Sequence, residues 1–564
     1  MPFKVLKAGR PERAALAWAL LAMAGAGQTL ACVHTGLWWL APLAVAVLVA
    51  QLREASPLQA ALAGLVFGTA WLLAAVWWLF ISMHRYGGLP AGLAAAAVVL
   101  LALALSIYLA LACAAWARLR TGVASLDALS FAACWLLAEW ARAVIFTGFP
   151  WAASGYTQID APLAALAPWV GVYGVGALVA LASALLGLAW ARMRRRLGQA
   201  VALGFAALAV LLLPALTGTP EFTRTAGTQT VTLLQTAVPQ DEKFSGERLP
   251  QNLGWLAQAL AQAQGQLVVA PETAVPLLPF QLAELAPGWW PGVVERFARS
   301  SQVGLLGLPL GSFDDGYTNS AVGLYAAASA ASSPRGSAGP HTWAAAGAAS
   351  RPASQPAPGP GSEPGSGPGA EPGAAAPYRY DKVHLVPFGE FIPTGFRWFT
   401  NLMNIPLGDF SRGPLDAPSL VAGSQRIAPN ICYEDLFGEE LAVRFRDPSR
   451  APTVLVNLSN IGWFGDTIAL PQHLNISRMR SLELQRPMLR ATNTGVTAII
   501  DHRGRVTHRL APFVRGALES AYEGRIGTTP FAWWAGRWGL WPLFGLALMV
   551  LALAAATKRW LRQP

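Results

Sequence analysis

At 564 residues the chain has room for two or more domains. It is 54% hydrophobic, with 23 tryptophans and only 13% charged residues, whereas a soluble protein carries about 25% charge; much of the chain is expected to face lipid. The formal net charge of +11 does not indicate a nucleic-acid partner, because the Lys and Arg residues stand mainly beside apolar segments, as membrane topology requires.

Seven apolar segments lie near 14–32, 36–52, 58–82, 90–117, 127–147, 162–191 and 198–217, and an eighth near 533–556. Each approaches the roughly 20 helical residues that span a hydrocarbon core. Lys4, Lys7, Arg10 and Arg13 precede the first segment; Arg53 follows the second, Arg118 and Arg120 the fourth, and Arg192, Arg194, Arg195 and Arg196 the sixth. Lys558, Arg559 and Arg562 follow the eighth, while the opposite loops hold only Arg85, Arg142 and Arg537 near helix ends. The positive-inside rule therefore predicts two cytoplasmic termini and a stretch 218–532 on the far side. The alternative of a cleaved leader ending at "TLAC" (29–32) would leave seven helices and break that charge pattern.

In "LAEWARAVIFTGFPWAASGYTQ" (137–158), Glu139 and Arg142 are spaced to pair at i, i+3 on a helix, and charges at such depth are either paired or functional. Phe149, Pro150, Trp151 and Tyr156 are expected to form an aromatic collar at the outer interface.

Between 228 and 525 the pattern turns to alternating strands and helices. Strands are predicted at 230–235, 266–272, 303–310, 425–434 and 452–460, several apolar throughout, as suits strands buried on both faces. Helices are predicted at 247–263, 280–300, 435–445 and 470–486, giving an α/β unit with polar residues at strand ends. Pro429 cannot donate to a ladder, so its strand is expected to be bulged or unpaired there. Residues 327–377 are almost wholly Ala, Pro, Gly and Ser and are expected to form a disordered insert. "TGFRWFTNLMNIPLGDF" (394–410) and "APGWWPG" (286–292) are candidates for lips that dip into the membrane interface, with ordinary packing as the competing account.

The cysteines are Cys32, Cys113, Cys134 and Cys432. The first three lie in or near apolar segments, as small packing residues do. With no CxxC pair, no HExxH and no phosphate-binding GxxxxGK[ST], neither a metal nor a cofactor is indicated. Three segments carry reactive groups: "VVAPETAVP" with Glu272, "YDKVHLVPFGEFIP" with Lys382, His384 and Glu390, and "APNICYEDLFG" with Cys432. A nucleophilic thiol needs a base or a cation, a partly buried carboxylate is a suitable base, and a lysine stabilises an oxyanion. Residue types alone leave Cys432 open as a nucleophile or, more commonly, a packed thiol. His384 is a second candidate base, and Asp435 and Glu439 are expected in a helix N-terminal turn.

"PE" after an apolar strand, then "DKVHLVPFGEFIP", then "ICYE" resemble the carbon–nitrogen hydrolase (nitrilase) superfamily. Seven apolar helices before that unit and one after make nearly the whole chain resemble the apolipoprotein N-acyltransferase family of the bacterial inner membrane, as do "EWAR…FTGFPWAASGYTQ" and "NLSNIGWFGDT". The resemblance implies an αββα sandwich carrying a Glu-Lys-Cys triad, with Glu272 as general base, Lys382 as oxyanion stabiliser and Cys432 as nucleophile. It implies supporting roles for Glu390, Tyr433 and Glu434, with the Tyr433 N–H as an oxyanion donor, and substrate-side positions for Phe244, Asn319 and Trp463. The family often has tryptophan where "PQDEKF" has Phe244. His384 becomes a structural neighbour. The implied organisation is a seven-helix bundle at 1–217, an extracytoplasmic catalytic unit at 218–532 and a final helix with a cytoplasmic tail at 533–564. The implied reaction moves an acyl chain from a membrane phospholipid, through a Cys432 thioester, to the α-amine of a diacylglyceryl-cysteine at an apolipoprotein N-terminus. It needs no cofactor and is expected of a monomer. A membrane-tethered amidase using water, an inert nitrilase-like transporter or scaffold, and an acyltransferase for another acceptor are the rival readings.

Overall fold

The computed structural model describes residues 11–314, 316–326, 377–392 and 410–563. The low-complexity stretch up to residue 376 and the proposed lip at 394–409 lie outside the described residues.

The apolar runs form helices at Pro11–Val33, Leu40–Leu52, Pro57–Val76, Ala91–Leu119, Ala124–Val144, Ala167–Arg192 and Leu197–Thr217. Local chemistry sets some ends. Ser56 caps the third helix in a reciprocal box with Gln59, with Pro57 at its first position. Small residues let helices approach: a Cβ on Gly25 would lie 2.2 Å from the Phe67 carbonyl oxygen, and one on Gly64 2.9 Å from Cys113 Sγ.

Among the described residues, seven helices are long and apolar enough to cross a membrane, the last being Trp541–Trp560. Two expected segments differ from the sequence reading. Leu40–Leu52 has 13 residues, about 20 Å of helix against a hydrocarbon core of about 30 Å. The terminal segment is broken at Gly539, whose φ is +56°. The part before it, Pro530–Trp538, packs Phe531, Ala532 and Ala535 against the α/β half, so the span begins only at Trp541.

Among the described residues the α/β half holds two six-stranded sheets. The first contains β1 (Thr223–Gln235), β2 (Leu267–Val269), β3 (Val303–Ser312), β4 (Gly316–Leu324), β5 (Tyr378–Asp381) and β12 (Gly516–Gly527) in the order β12-β1-β2-β3-β4-β5. The second contains β6 (Leu420–Ala422), β7 (Gln425–Ile431), β8 (Val454–Ser459), β9 (Met488–Thr492), β10 (Ala498–Ile500) and β11 (Val506–Arg509) in the order β11-β10-β9-β8-β7-β6. Each has a parallel centre, β1-β2-β3 and β7-β8-β9, with antiparallel neighbours. Val231, Leu233, Leu267, Val269, Ile427, Ile431, Val454 and Val456 interdigitate in one core between the sheets. The outer face of the first sheet is covered by helices Leu249–Gln262 and Trp289–Ala298, that of the second by Gly438–Ala442, Ala469–Leu484 and Pro530–Trp538. The result is an αββα sandwich.

Three expectations are corrected. Pro429 sits in an unbroken parallel register, opposite Val456. Its carbonyl turns away from β8 to accept from Arg444 Nη1 at 2.8 Å, and β6 reaches only as far as Ile427, so the missing N–H falls on an open edge. Trp151 and Tyr156 are 4% and 2% exposed rather than part of a surface collar, because the segment after Val144 folds back beneath helix Ala469–Leu484 and joins a core shared by both halves. Trp289, in the second candidate lip, donates to the Leu253 carbonyl at 3.0 Å and packs into the helix layer on the outer face of the first sheet.

Glu139 and Arg142 do face each other, both buried, at 3.8 Å. Glu139 Oε1 also accepts from the Ser154 N–H at 2.7 Å, and the Arg142 guanidinium lies 5.3 Å from the Trp71 ring centroid.

Candidate active site

Each reactive group stands just beyond the end of a strand, where the ladder releases the backbone. Glu272 follows β2, Lys382 follows β5, Cys432 follows β7 and Asn460 follows β8. Because the parallel strands of both sheets run toward the same end, these four termini converge.

Glu272 and Glu390 share a buried network. Asn319, on β4, donates one Nδ2 hydrogen to Glu272 Oε1 and the other to Glu390 Oε1, both at 2.8 Å. Lys382 Nζ lies 2.9 Å from Glu390 Oε1 and 3.4 Å from Glu272 Oε1. The second Glu272 oxygen accepts from the Asn460 N–H at 2.7 Å, and the second Glu390 oxygen from the Val386 N–H at 2.8 Å. The ammonium of Lys382 is 1% exposed. Burial works against its charge, but Glu390 and Glu272 outweigh it and carry its pKa well above the usual lysine range.

Cys432 opens a short 3-10 turn, Cys432–Leu436, with φ at +53°, a left-handed conformation that costs a side-chain-bearing residue about 1–2 kcal/mol. Burial pushes its thiol up to about 12, and the Glu272 carboxylate adds to this, while the Lys382 ammonium and the Ser459 hydroxyl pull the other way. At neutral pH the group is a thiol beside a carboxylate, an arrangement in which the proton is passed on as the sulfur attacks.

The two loops are clamped together by Glu434. Its carboxylate accepts from the N–H groups of Val383 (2.6 Å), His384 (3.2 Å) and Ile431 (2.5 Å) and from the Tyr380 hydroxyl (2.8 Å). A buried acidic residue two positions after Cys432 thus ties the lysine loop to the cysteine loop. Tyr433 reaches the other way, its hydroxyl donating to the Gly148 carbonyl at 3.1 Å, which joins the neighbour of Cys432 to the membrane half.

The remaining candidates are placed apart from this centre. His384 Nδ1 lies 3.0 Å from Glu440 Oε1 and its ring stacks on Phe437 at 3.4 Å, so Nδ1 is engaged by a carboxylate outside the Glu272–Lys382 network. Phe244 is 42% exposed. Trp463 is half-buried and meets Tyr86 edge-on at 5.7 Å. Glu439 enters the first turn of helix Gly438–Ala442, whereas Asp435 is turned inward onto His473, Ser477 and Arg490.

Lys243 was not singled out by residue type. It is 4% exposed and donates to the Glu272 carbonyl oxygen at 3.1 Å. Burial draws its amine down to about 8, although Glu272 and Cys432 both favour the charge. Its signal was present in "PQDEKF", where a lysine adjoins the aromatic position. Asn460, in "NLSN", is the other unforeseen partner.

Comparison with known proteins places these residues in context. Residues 24–185 match the family described as apolipoprotein N-acyltransferase N-terminal domain, and residues 371–522 match carbon-nitrogen hydrolase. A protein of Verminephrobacter eiseniae named apolipoprotein N-acyltransferase is 49% identical over 548 residues, covering 93% of this chain and 93% of that protein. Its namesake from Ralstonia nicotianae is 43% identical over 546 residues, covering 96% and 93%. Among solved structures, a carbon-nitrogen hydrolase from Helicobacter pylori aligns with 56% of this chain and 94% of its own at 14% identity, with a TM-score of 0.33.

Proposed function

The chain belongs to the apolipoprotein N-acyltransferase family, and from that premise we propose that Cys432 carries an acyl group between two lipid substrates. In the first half-reaction Cys432 Sγ attacks an ester carbonyl of a membrane phospholipid while its proton passes to Glu272. The oxyanion forms against the Lys382 ammonium and the Tyr433 N–H. Its collapse breaks the ester C–O bond, Glu272 returns the proton to the leaving oxygen, and a lysophospholipid departs. In the second half-reaction the α-amine of an N-terminal diacylglyceryl-cysteine attacks the thioester. Glu272 takes the amine proton, the C–S bond breaks, and the proton restores the thiol as the amide forms.

The observation that carries this reading is the shared network in which Asn319 and Lys382 bridge Glu272 and Glu390. It sets both Glu272 oxygens against donors, Asn319 and Lys382 on one and the Asn460 N–H on the other, and so fixes the carboxylate that the scheme uses as base. The neutral thiol fits a nucleophile that is activated only when a carbonyl is in place. Glu390 holds the lysine, and Glu434 holds the loop that bears it.

The proposed setting is the inner membrane, with both termini cytoplasmic and residues 218–532 on the outer face, as the Arg and Lys distribution supports. Phe244 and Trp463, both partly open to the surroundings, are the positions proposed to meet lipid. A monomer suffices, since one chain supplies every group in the scheme.

The test uses full-length protein in mixed micelles. With phospholipid alone, intact mass should rise by one acyl chain on Cys432, and a diacylated lipopeptide should then discharge the adduct onto its amine. Absence of any adduct, or full activity in Cys432→Ser, would defeat the scheme; discharge by water but never by the amine would assign the chain to hydrolysis instead.

A further inference from the structure

Behind the nucleophile, on the side away from Glu272 and Lys382, lies a second buried polar cluster that the acyl-transfer scheme does not use. Its members are Asp435, His473, Ser477 and Arg490, all 0–1% exposed. We infer that His473 is a positioning residue for the nucleophile, holding the Cys432 carbonyl in its left-handed turn and taking its own position from the membrane half through Trp151.

Two side chains donate to the Cys432 carbonyl, His473 Nε2 at 3.3 Å and Asn457 Nδ2 at 3.3 Å. Asn457 is itself braced by Asn430 Oδ1 at 2.7 Å. The tautomer of His473 follows from its neighbours. Arg490 Nη2, which can only donate, lies 3.1 Å from Nδ1, so Nδ1 accepts and the proton resides on Nε2. That N–H faces both the Cys432 carbonyl and Asp435 Oδ1, the latter at 3.1 Å. Asp435 is anchored in turn by Arg490 Nη1 at 3.2 Å and by the Ser477 hydroxyl. The ring therefore presents its Nε2 donor to the Cys432 backbone and its Nδ1 acceptor to a guanidinium.

The imidazole is set from its other face by the membrane half. The Trp151 ring stacks on it at 5.8 Å and 19°. The Trp151 indole N–H donates to Gln472 Oε1 at 2.9 Å, Trp78 donates to the same oxygen at 3.2 Å, and Gln472 Nε2 returns a bond to the Ala75 carbonyl at 3.1 Å. Gln472 and His473 are consecutive on helix Ala469–Leu484. One residue of that helix is therefore bolted to the ends of membrane helices while the next holds the nucleophile's backbone. A turn of positive φ relaxes if its carbonyl is released, and a reacting atom displaced by about 1 Å loses on the order of 10²-fold in rate.

This inference rests on Cys432 as nucleophile, and the experiment separates the two. Full-length protein is assayed by single-turnover formation of the acyl adduct from phosphatidylethanolamine in mixed micelles, per folded protein as measured by size exclusion. His473→Leu should form the adduct on the order of 10² times more slowly, with the phospholipid KM unchanged within about twofold. His473→Gln, which keeps an N–H at the reach of Nε2, should recover about tenfold or more. Trp151→Leu should slow adduct formation with the same unchanged KM, and Trp151→Phe less so. Wild-type rates per folded molecule in His473→Leu would overturn the inference, as would equal losses in His473→Leu and His473→Gln. Should His473→Leu yield no folded protein, wild-type rates in both His473→Gln and Trp151→Leu would support only the nucleophile's own fold and overturn the link to Trp151. An acyl adduct absent even from the wild type would instead remove the reading of Cys432.

Discussion

Replacing Glu272 by Gln isolates the proton-transfer step from the architecture around it. An amide fills the same volume and keeps one accepting oxygen for Asn319 and Lys382, at the cost of the Asn460 N–H that Glu272 Oε2 now receives. One buried N–H without a partner costs about 1–3 kcal/mol, so the variant should fold. Its chemistry should suffer far more. The Cys432 thiol is pushed up to about 12, by burial first and by Glu272 second, so at pH 7 roughly one molecule in 10⁵ holds a thiolate. With Glu272 present the proton leaves during attack, and prior ionisation is unnecessary. Without it only preformed thiolate reacts, although removal of the carboxylate charge lowers the thiol and returns part of the loss. General-base catalysis contributes about 10²–10⁴-fold, and the ionisation limit sets the upper end, so the expected loss at pH 7 is about 10³–10⁴-fold. The pH dependence is the sharper signature: adduct formation in Glu272→Gln should rise roughly tenfold per pH unit from 6 to 9, while the wild type changes far less. The assay is intact-mass detection of acyl-Cys432 under single-turnover conditions. A wild-type rate, or a reduced rate that is flat with pH, would refute the assignment of Glu272 as the base.

Glu434→Gln must turn an NH₂ group toward one of its donors, stranding the Ile431 N–H or the pair from Val383 and His384; thermal unfolding should show a loss of about 2–4 kcal/mol with slower adduct formation. Lys243 is drawn down to about 8 by burial, so the unfolded chain binds more protons between about 8 and 10.5 and stability rises with pH across that window. Lys243→Met should abolish that rise, worth roughly 3 kcal/mol, in unfolding midpoints measured from pH 7.5 to 10.5. Tyr433→Phe loses the bond to the Gly148 carbonyl and should cost about 1 kcal/mol in thermal unfolding, with adduct formation slowed by less than tenfold. Glu139→Leu leaves Arg142 and the Ser154 N–H without their buried partner and should cost about 3–5 kcal/mol in detergent, with Arg142→Met added to it restoring part of the loss.

Apolar runs of about 20 residues, separated by basic turns, disclosed the membrane helices because lipid imposes a length and a composition on each segment separately. Five strands, β1, β2, β3, β7 and β8, disclosed themselves similarly, several as continuous apolar runs that only a doubly covered sheet can bury, while β4 to β6 and β9 to β12 did not. The order Glu272, Lys382, Cys432 was legible as well, since each residue lies in a short motif carrying its own chemistry. What the motifs did not contain was partnership. Asn319 meets Glu272 across 47 residues and Glu390 across 71, and Tyr433 meets Gly148 across 285; such pairings follow from which distant segments the fold brings together, not from neighbours in the chain. Helix Ala469–Leu484 makes the point most plainly. Gln472, His473, Asn475, Ser477, Arg480 and Glu483 are six polar residues on one helix, yet every one is buried. They are tolerated inside because distant groups answer them: Ala75 and Trp151 for Gln472, Cys32 for Asn475, Asp435 for His473 and Ser477, and Val172 for Glu483. Composition thus determined the membrane frame and the α/β pattern, while the sandwich and the candidate triad were legible only through short motifs that resemble a known family. The seam that ties the Cys432 turn to the bundle was decided by the tertiary structure alone, because a buried polar residue is specified by its partner and the partner lies elsewhere in the chain.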